Sequence, residues 1–372
     1  MKKYTLAEYE EQLNHQVIHM DQAVCYNPEF CATRKMHDYP SRKLQLARAV
    51  YKNELPLTDY VGNLVFSSIL SRQGERWQNF RENQEDCTDA MILSRKMLLD
   101  KGYQAPAVEE FRCALVEGRG HLLNAKPWHL PQKADSTMAI LLDDTTAFFG
   151  KTGEKALASW CEKNGMAFKN AADPVFTGFE YFAYGLVEEG TVHLKNMIKT
   201  MEETGVKEVM VLSAQLAWML TVLAEKLGLS RPFTVRYLPH VLKKIHTDIP
   251  SYVYAGSFNL RYLCNSQILN ALLPNTTEER DKQSMEFIPL LKGDQRVNQL
   301  TIWQKPLSAE YTLYGMEKEM VKVIQEDALT DIKKAFAKQV VVFEPTAMPI
   351  LKEAFPDKQI RFYLELLNNG SL

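Results

Sequence analysis

The feature that most restricts what this chain can fold into is a short apolar run leading into a helix-like stretch, met four times. "TMAILLDD" precedes "GEKALASWCEKNG", "KEVMVLS" precedes "AQLAWMLTVLAEKLG", "SYVYAGS" precedes "LRYLCNSQILNALL", and "KQVVVFEP" precedes "TAMPILKEAF". Strands that alternate with helices cannot close as hairpins. They need crossover connections, which makes their sheets parallel and places helices on the sheet faces. In such sheets a ligand binds beyond the carboxyl ends of the strands. Those ends put Asp143, Asp144, Ser213, Ser257 and Glu344 at candidate site edges.

The four units fall into two halves. Each opens with a strand and loop, has a long helical middle, and closes with a strand running directly into a helix, the pattern an internal duplication of about 100 residues leaves. Two α/β domains are expected, 136–245 and 246–372. Upstream, "SRKLQLARAVYKN" and "TDAMILSRKMLLDKG" space their apolar residues by three and four, so 1–120 is expected to be all helical. Two prolines and mixed polarity mark 121–135 as a linker. The fold class is therefore α/β: a helical N-terminal domain followed by two duplicated domains with mainly parallel sheets.

Charge narrows the partners. A formal net charge of -2 leaves no basic footprint for nucleic acid and no polybasic membrane patch. The start, "MKKYTLAEYEEQLNH", has no apolar core with a cleavage site, and the most apolar stretch, from Val209, carries Glu225 and Lys226. A cytoplasmic protein without a membrane span is expected. The six cysteines include no C-x-x-C pair, consistent with reduced, packed thiols.

The catalytic motifs are weak. "TTAFFGKTG" is half a P-loop, with Thr145 where the first glycine belongs and two aspartates upstream that would repel phosphate. Asp143 and Asp144 suit a general-base pair or magnesium ligands, yet successive strand residues point to opposite faces, which favours capping. His15 and His19 share a helix face without the glutamate of H-E-x-x-H. No metal site follows.

The segment "YPSRKLQLARAVYKNELPLTDYVGNLVFSSILSRQGERW", followed by "TDAMILSRKMLLDKG", resembles the iron–sulfur domain of heterodisulfide-reductase-like and glycolate-oxidase-type electron-transfer subunits. The resemblance places the cluster-ligand positions at Ser68, Ser71, Gly74 and Gln78, and an upstream set at Gln22, Cys25, Pro28 and Ala32. Beyond this, "DPVFTGFEYFAYG", "SAQLAWML", "YAGSFNLRY" and "EPTAMPILKEAF" resemble the family's paired cysteine-rich domains, named for their Cys-Cys-Gly signatures. Phe176, Ala214, Ala217, Phe258, Glu344 and Ala347 stand at their cysteine positions, while Gly178 and Gly185 are kept. The resemblance runs through nearly the whole chain in order.

Members of that family carry [4Fe–4S] clusters, and a four-ligand site cannot be rebuilt from serine, glycine and a single thiol. The resemblance therefore implies a cluster-free relative with no cofactor, acting as a scaffold, regulatory or partner protein beside another redox-complex subunit or a cysteine-complete relative. An oxidoreductase subunit with an unidentified cofactor is one alternative. Another is a small-molecule-binding protein using a cleft between the α/β domains, lined from Asp143, Asp144, Thr177, Glu180, Ser213, Arg261 and Glu344. Phe176 and Phe258 are expected to fill space that a cluster and its ligands would take.

Overall fold

The structure is a computed structural model, and it describes residues 3–15, 27–73, 87–169, 173–245, 247, 249–273, 300–308, 311–335 and 337–369. Gln22, Cys25, Gly74 and Gln78 lie outside these residues. The chain is mixed α/β, and the described residues form two three-stranded parallel sheets.

The first sheet has the order β1-β2-β3, from Met138–Leu141, Glu208–Val211 and Thr234–Tyr237. The second repeats that order as β4-β5-β6, from Ser251–Tyr254, Gln339–Val342 and Gln359–Phe362. In each, the middle strand follows a helix of 17 residues, Val187–Glu203 or Lys318–Lys334. The register runs Met138↔Glu208↔Thr234 in one and Ser251↔Gln339↔Gln359 in the other. Four of these strands open the four sequence units. Strands β3 and β6, each at one edge of its sheet, were not expected.

Side-chain alternation makes the first sheet a partition. Ala139, Leu141, Val209 and Val211 face a core that also holds Leu44, Ala47, Val65, Ile92, Leu93 and Phe111 of the N-terminal helices. Ile140, Leu142, Met210 and Leu212 face the other core, with Tyr252 to Tyr254 and Val340 to Val342 of the second sheet. The period of two along a strand sends alternate residues to opposite sides, so one sheet closes two cores. Strands β4 and β5 are buried throughout, as parallel strands covered on both faces must be.

The N-terminal helices include Pro28–Thr33, Pro40–Tyr51, Asp59–Phe66, Cys87–Asp100 and Pro106–Glu117. Proline at the first turn starts three of them, where its missing N–H costs nothing. Asn27 caps the first by accepting from the Phe30 N–H at 2.8 Å, and Thr58 caps Asp59–Phe66. Cys87–Asp100 is buried over most of its length, and its buried residues include the charged Asp89 and Arg95.

Arg95 explains the shape of its neighbourhood. Its guanidinium donates to the carbonyls of Val65 at 3.2 Å, Phe66 at 3.0 Å, Ser68 at 2.7 Å and Ala183. The Asp59–Phe66 helix stops there, and the chain leaves with Leu70 and Arg72 in the left-handed region. Residues 68–72 therefore form an irregular segment whose carbonyls are held by side chains, and no helix continues through them.

Candidate functional site

Two groups of buried polar residues stand out. The first is at the carboxyl end of the first sheet, where β1 and β2 run in parallel into Asp143 and Ser213. Asp143 accepts from the Thr145 N–H at 3.0 Å and from the hydroxyls of Thr145 and Ser213. Ser213 in turn caps the helix Ala214–Trp218, its Oγ accepting from the Leu216 N–H at 3.2 Å. Capping is thus what both residues do locally, and the Asp143–Ser213 bond ties the two strand ends together.

Asp144 turns the other way. Its N–H donates to the Val175 carbonyl at 2.8 Å, and its Oδ2 accepts from the Leu122 N–H at 3.2 Å. Glu180 approaches from the helix Phe179–Ala183, with Oε1 accepting from the Thr312 N–H at 3.1 Å and Oε2 buried without a partner. Burial is the main force on all three acids. It raises Asp144 to about 8, helped by repulsion from Glu180 and Asp143. Glu180 is raised to about 7, against its hydrogen bonds from Thr312 and with a smaller push from Asp143. Asp143 is also raised by burial, opposed by its bonds from Ser213 and Thr145.

These acids predict a pH dependence. A carboxyl whose folded-state pKa lies above its unfolded value makes the native state bind more protons than the unfolded state, so stability falls as pH rises. That stability is complete below the ordinary carboxylate range and is lost by about pH 8, where Asp144 ionises. Between about pH 5.5 and 8.5 the loss from Asp144 is roughly 3 kcal/mol, at about 1.4 kcal/mol per unit. Asp144→Asn should flatten the profile of urea midpoints against pH. A variant profile parallel to that of the parent would show that Asp144 titrates normally.

The remaining cleft residues divide. Glu344 follows β5 and accepts from the Thr346 hydroxyl at 2.9 Å. Its turn, Pro345–Ala347, packs against the turn Asp144–Phe148, so the carboxyl ends of the two sheets do face each other. Gly256 permits the approach beside β4: it has φ +79, and a Cβ there would stand 2.7 Å from the Glu344 Cβ. Side chains fill much of this junction, with Phe149 stacked on Phe362 at 3.8 Å and the Tyr363 hydroxyl donating to the Leu212 carbonyl. Thr177 is buried nearby in the chain, just before Gly178. Arg261 is drawn elsewhere: it donates to the carbonyls of Ser71 at 2.6 Å, Ile302 at 3.0 Å and Gln304 at 3.0 Å, and to the Ser257 hydroxyl.

The positions that resemblance assigns to cluster ligands are mostly core positions. Ala214, Ala217 and Ala347 are buried, and Phe176 lies among Phe111, Tyr181 and His193. Phe258 is stacked on Tyr262 at 4.3 Å, meets Phe179 edge-on at 4.9 Å and stands 6.1 Å from Trp218. Ser68 donates its hydroxyl to Glu29 Oε1 at 3.1 Å, and the Ile69 N–H reaches the same oxygen at 3.0 Å. The Leu70 carbonyl accepts from the Tyr262 hydroxyl at 2.6 Å.

The second group surrounds Ser68 and Ser71. A half-open cavity of about 40 Å³ is lined by Glu29, Ser41, Ser68, Ser71 and Gln73, among others. Lys43 lies close by, wholly buried, and burial lowers it to about 8 against the pull of Glu29 and Asp38. Glu29, Lys43 and Arg95 had not been singled out from the sequence. The signal was available for two of them: Lys43 shares a stripe with Ala47 and Val50, and Arg95 sits amid Ile92, Leu93, Met97 and Leu98. Glu29, in "NPEFC", carries no such mark.

Among the described residues, no group of three His, Cys, Asp or Glu side chains is placed to hold a metal ion, and no helix is long and apolar enough to cross a membrane. No family model matches the chain, and comparison with curated proteins and with solved structures finds no significant match.

Proposed function

We propose that this protein is a cluster-free relative of heterodisulfide-reductase-like electron-transfer subunits, and that it works as a scaffold, regulatory or partner protein for another subunit of a redox complex, such as a cysteine-complete relative. One observation carries the reading. Phe258, at a cysteine position by resemblance, is 1% exposed and packed on three aromatic rings. A cluster site needs soft donors around an open volume, whereas an aromatic side chain in close contact occupies that volume with carbon. Ser68 and Ser71 point the same way, because their carbonyls are taken by Arg95 and Arg261. A protein that had simply lost a cysteine at Phe258 would have kept a void there, and the ring instead sits against Phe179, Trp218 and Tyr262.

Protein purified without oxygen is expected to hold less than about one iron per chain and a matching trace of acid-labile sulfide, since no set of four cysteines has cluster spacing. About four of each per chain would overturn the reading. The partner role is checked by co-expression with proteins encoded beside this reading frame in its genome. A stoichiometric complex supports it, and monodisperse, separate elution of every such neighbour would remove it.

A further inference from the structure

Residues 311–315 run against the helices Phe179–Ala183 and Pro106–Glu117 with no helix or strand of their own. Among the described residues, the backbone of 312–315 is bonded to side chains alone. The Thr312 N–H donates to Glu180 Oε1 at 3.1 Å, and the Thr312 carbonyl accepts from the Tyr184 hydroxyl at 2.9 Å. The Tyr314 N–H donates to that same hydroxyl at 2.5 Å, and the Gly315 N–H to the exposed Glu110 Oε2 at 3.0 Å. The chain turns through the left-handed region on either side, at Ser308 with φ +57 and at Gly315 with φ +61. Gly315 is needed where it stands, because an added Cβ would lie 2.7 Å from the Ala107 Cβ. Glu180 is thus the one buried carboxyl that fixes this stretch, and its Oε2 has no partner.

We propose that residues 311–315 form a latch on Glu180, closed while Glu180 and Asp144 hold their protons and released when both are ionised. Asp143, Asp144 and Glu180 are each at most 4% exposed, and the bonds they accept come from uncharged N–H and O–H groups. Arg95 faces Tyr184 and Tyr311 but spends its donors on four carbonyls and on Tyr311. Burial holds His193, beside Gly178, toward its neutral form, and Arg112 and Glu189 pair with each other at the surface near Tyr181. Tyr314 meets only further acids, Glu110 and Glu117. Two buried negative charges would therefore stand together without a cation, a state that proteins avoid by keeping protons or by admitting water. Burial brings Glu180 to about 7 and, with repulsion from Glu180 and Asp143, Asp144 to about 8, so the choice falls near neutral pH. Water reaches Glu180 Oε2 most cheaply by lifting 311–315, whose bonds are few, whereas Asp143 and Ser213 tie two strand ends. The closed form binds more protons than the open one, so rising pH favours release. Release bares Tyr184 and Phe111, on which the Tyr314 ring packs at 6.3 and 6.2 Å. The inference is independent of iron content and of the partner role.

The test is amide hydrogen exchange on the full chain from about pH 5.5 to 8.5, read by mass spectrometry on peptides that span 311–315. Each rate is divided by the rate of an unstructured peptide at the same pH, so what remains reports the opening equilibrium. Protection in 311–315 is expected to fall by about tenfold or more between pH 6 and 8.5, while the Phe343 amide, bonded to the Tyr254 carbonyl in the other core, keeps its protection. Glu180→Gln keeps an acceptor for Thr312 and carries no charge, and its protection should stay within about threefold over that range. Asp144→Asn should reduce the fall, and it carries the test if Glu180→Gln does not fold. Tyr184→Phe removes two of the bonds without touching a charge near neutral pH, so it should lower protection by a similar factor at every pH. Four results would overturn the proposal: protection in 311–315 that is constant with pH; a loss shared equally by Phe343, which means global unfolding; a loss confined to 121–123, which means that the segment bonded to Asp144 opens instead; and an undiminished pH dependence in the Glu180 and Asp144 variants.

Discussion

Replacing Arg261 by methionine is expected to lower stability by roughly 4–5 kcal/mol, one of the two largest losses foreseen for a single side chain here. Arg261 is 2% exposed and joins two distant pieces of chain, Ser71 beyond the Asp59–Phe66 helix and Ile302 with Gln304 in a late loop, while also donating to Ser257 one turn before it. Methionine keeps much of the volume but donates nothing, so four acceptors, all but the Ile302 carbonyl buried, lose a donor at once. Lysine should fail nearly as badly. Its ammonium is a compact point charge with three donors, and it cannot spread to acceptors arrayed around a planar fork. Urea unfolding at neutral pH gives the answer: a midpoint shift equivalent to less than about 1.5 kcal/mol would mean that water replaces the guanidinium at little cost. The same experiment on Arg95 probes the other end of the 65–71 segment, where three carbonyls depend on one side chain that also binds the Ala183 carbonyl.

How far the fold was legible depends on burial. The strands β1, β2, β4 and β5 are apolar runs because they are covered on both faces or divide two cores, and an apolar run can be seen in a sequence. The edge strands β3 and β6 are half exposed and carry Arg236 and Arg361, so their apolar content is no higher than a loop's. They are visible only when the halves are laid side by side: "TVRYL" and "QIRFYL" pair a β-branched residue, an arginine and an aromatic in the same order. The register confirms the equivalence, because each of these arginines stands opposite the third residue of the middle strand.

The site was legible where it depends on strand ends and illegible where it depends on long side chains. Asp143 and Ser213 meet because parallel neighbours in register end together. Arg261 was grouped with them as a lining residue of the cleft. Its reach instead takes it to Ser71 beyond the Asp59–Phe66 helix, since so long and flexible a side chain leaves its destination undetermined by its position in sequence. Asp144 comes near Glu180 where its N–H binds the Val175 carbonyl ahead of the Phe179–Ala183 helix, and Glu180 is bound in turn by Thr312 far off in the chain, pairings that no local pattern encodes.

The other large effect is expected at Phe258. Phe258→Ala should cost roughly 3–5 kcal/mol, the range for emptying a packed aromatic site, because its ring is in stacked contact with Tyr262 and in edge contact with Phe179. Those partners are themselves wedged, with Trp218 at 5.0 Å from Tyr262 and Tyr311 at 5.3 Å from Phe179, so they have little freedom to collapse into the void. Phe258→Leu keeps more of the volume and should cost under about 2 kcal/mol. Phe258→Cys is the informative variant. It restores a thiol at one position where resemblance expects one, while Phe176, Ala214 and Ala217 remain carbon and Phe179, Trp218 and Tyr262 still close in around it. Its iron content should therefore stay at the parent's level while its stability drops toward that of the alanine variant. If Phe258→Ala costs less than about 1 kcal/mol in denaturant melts, the ring fills no essential space; if Phe258→Cys takes up iron stoichiometrically, the site had been vacated without being closed.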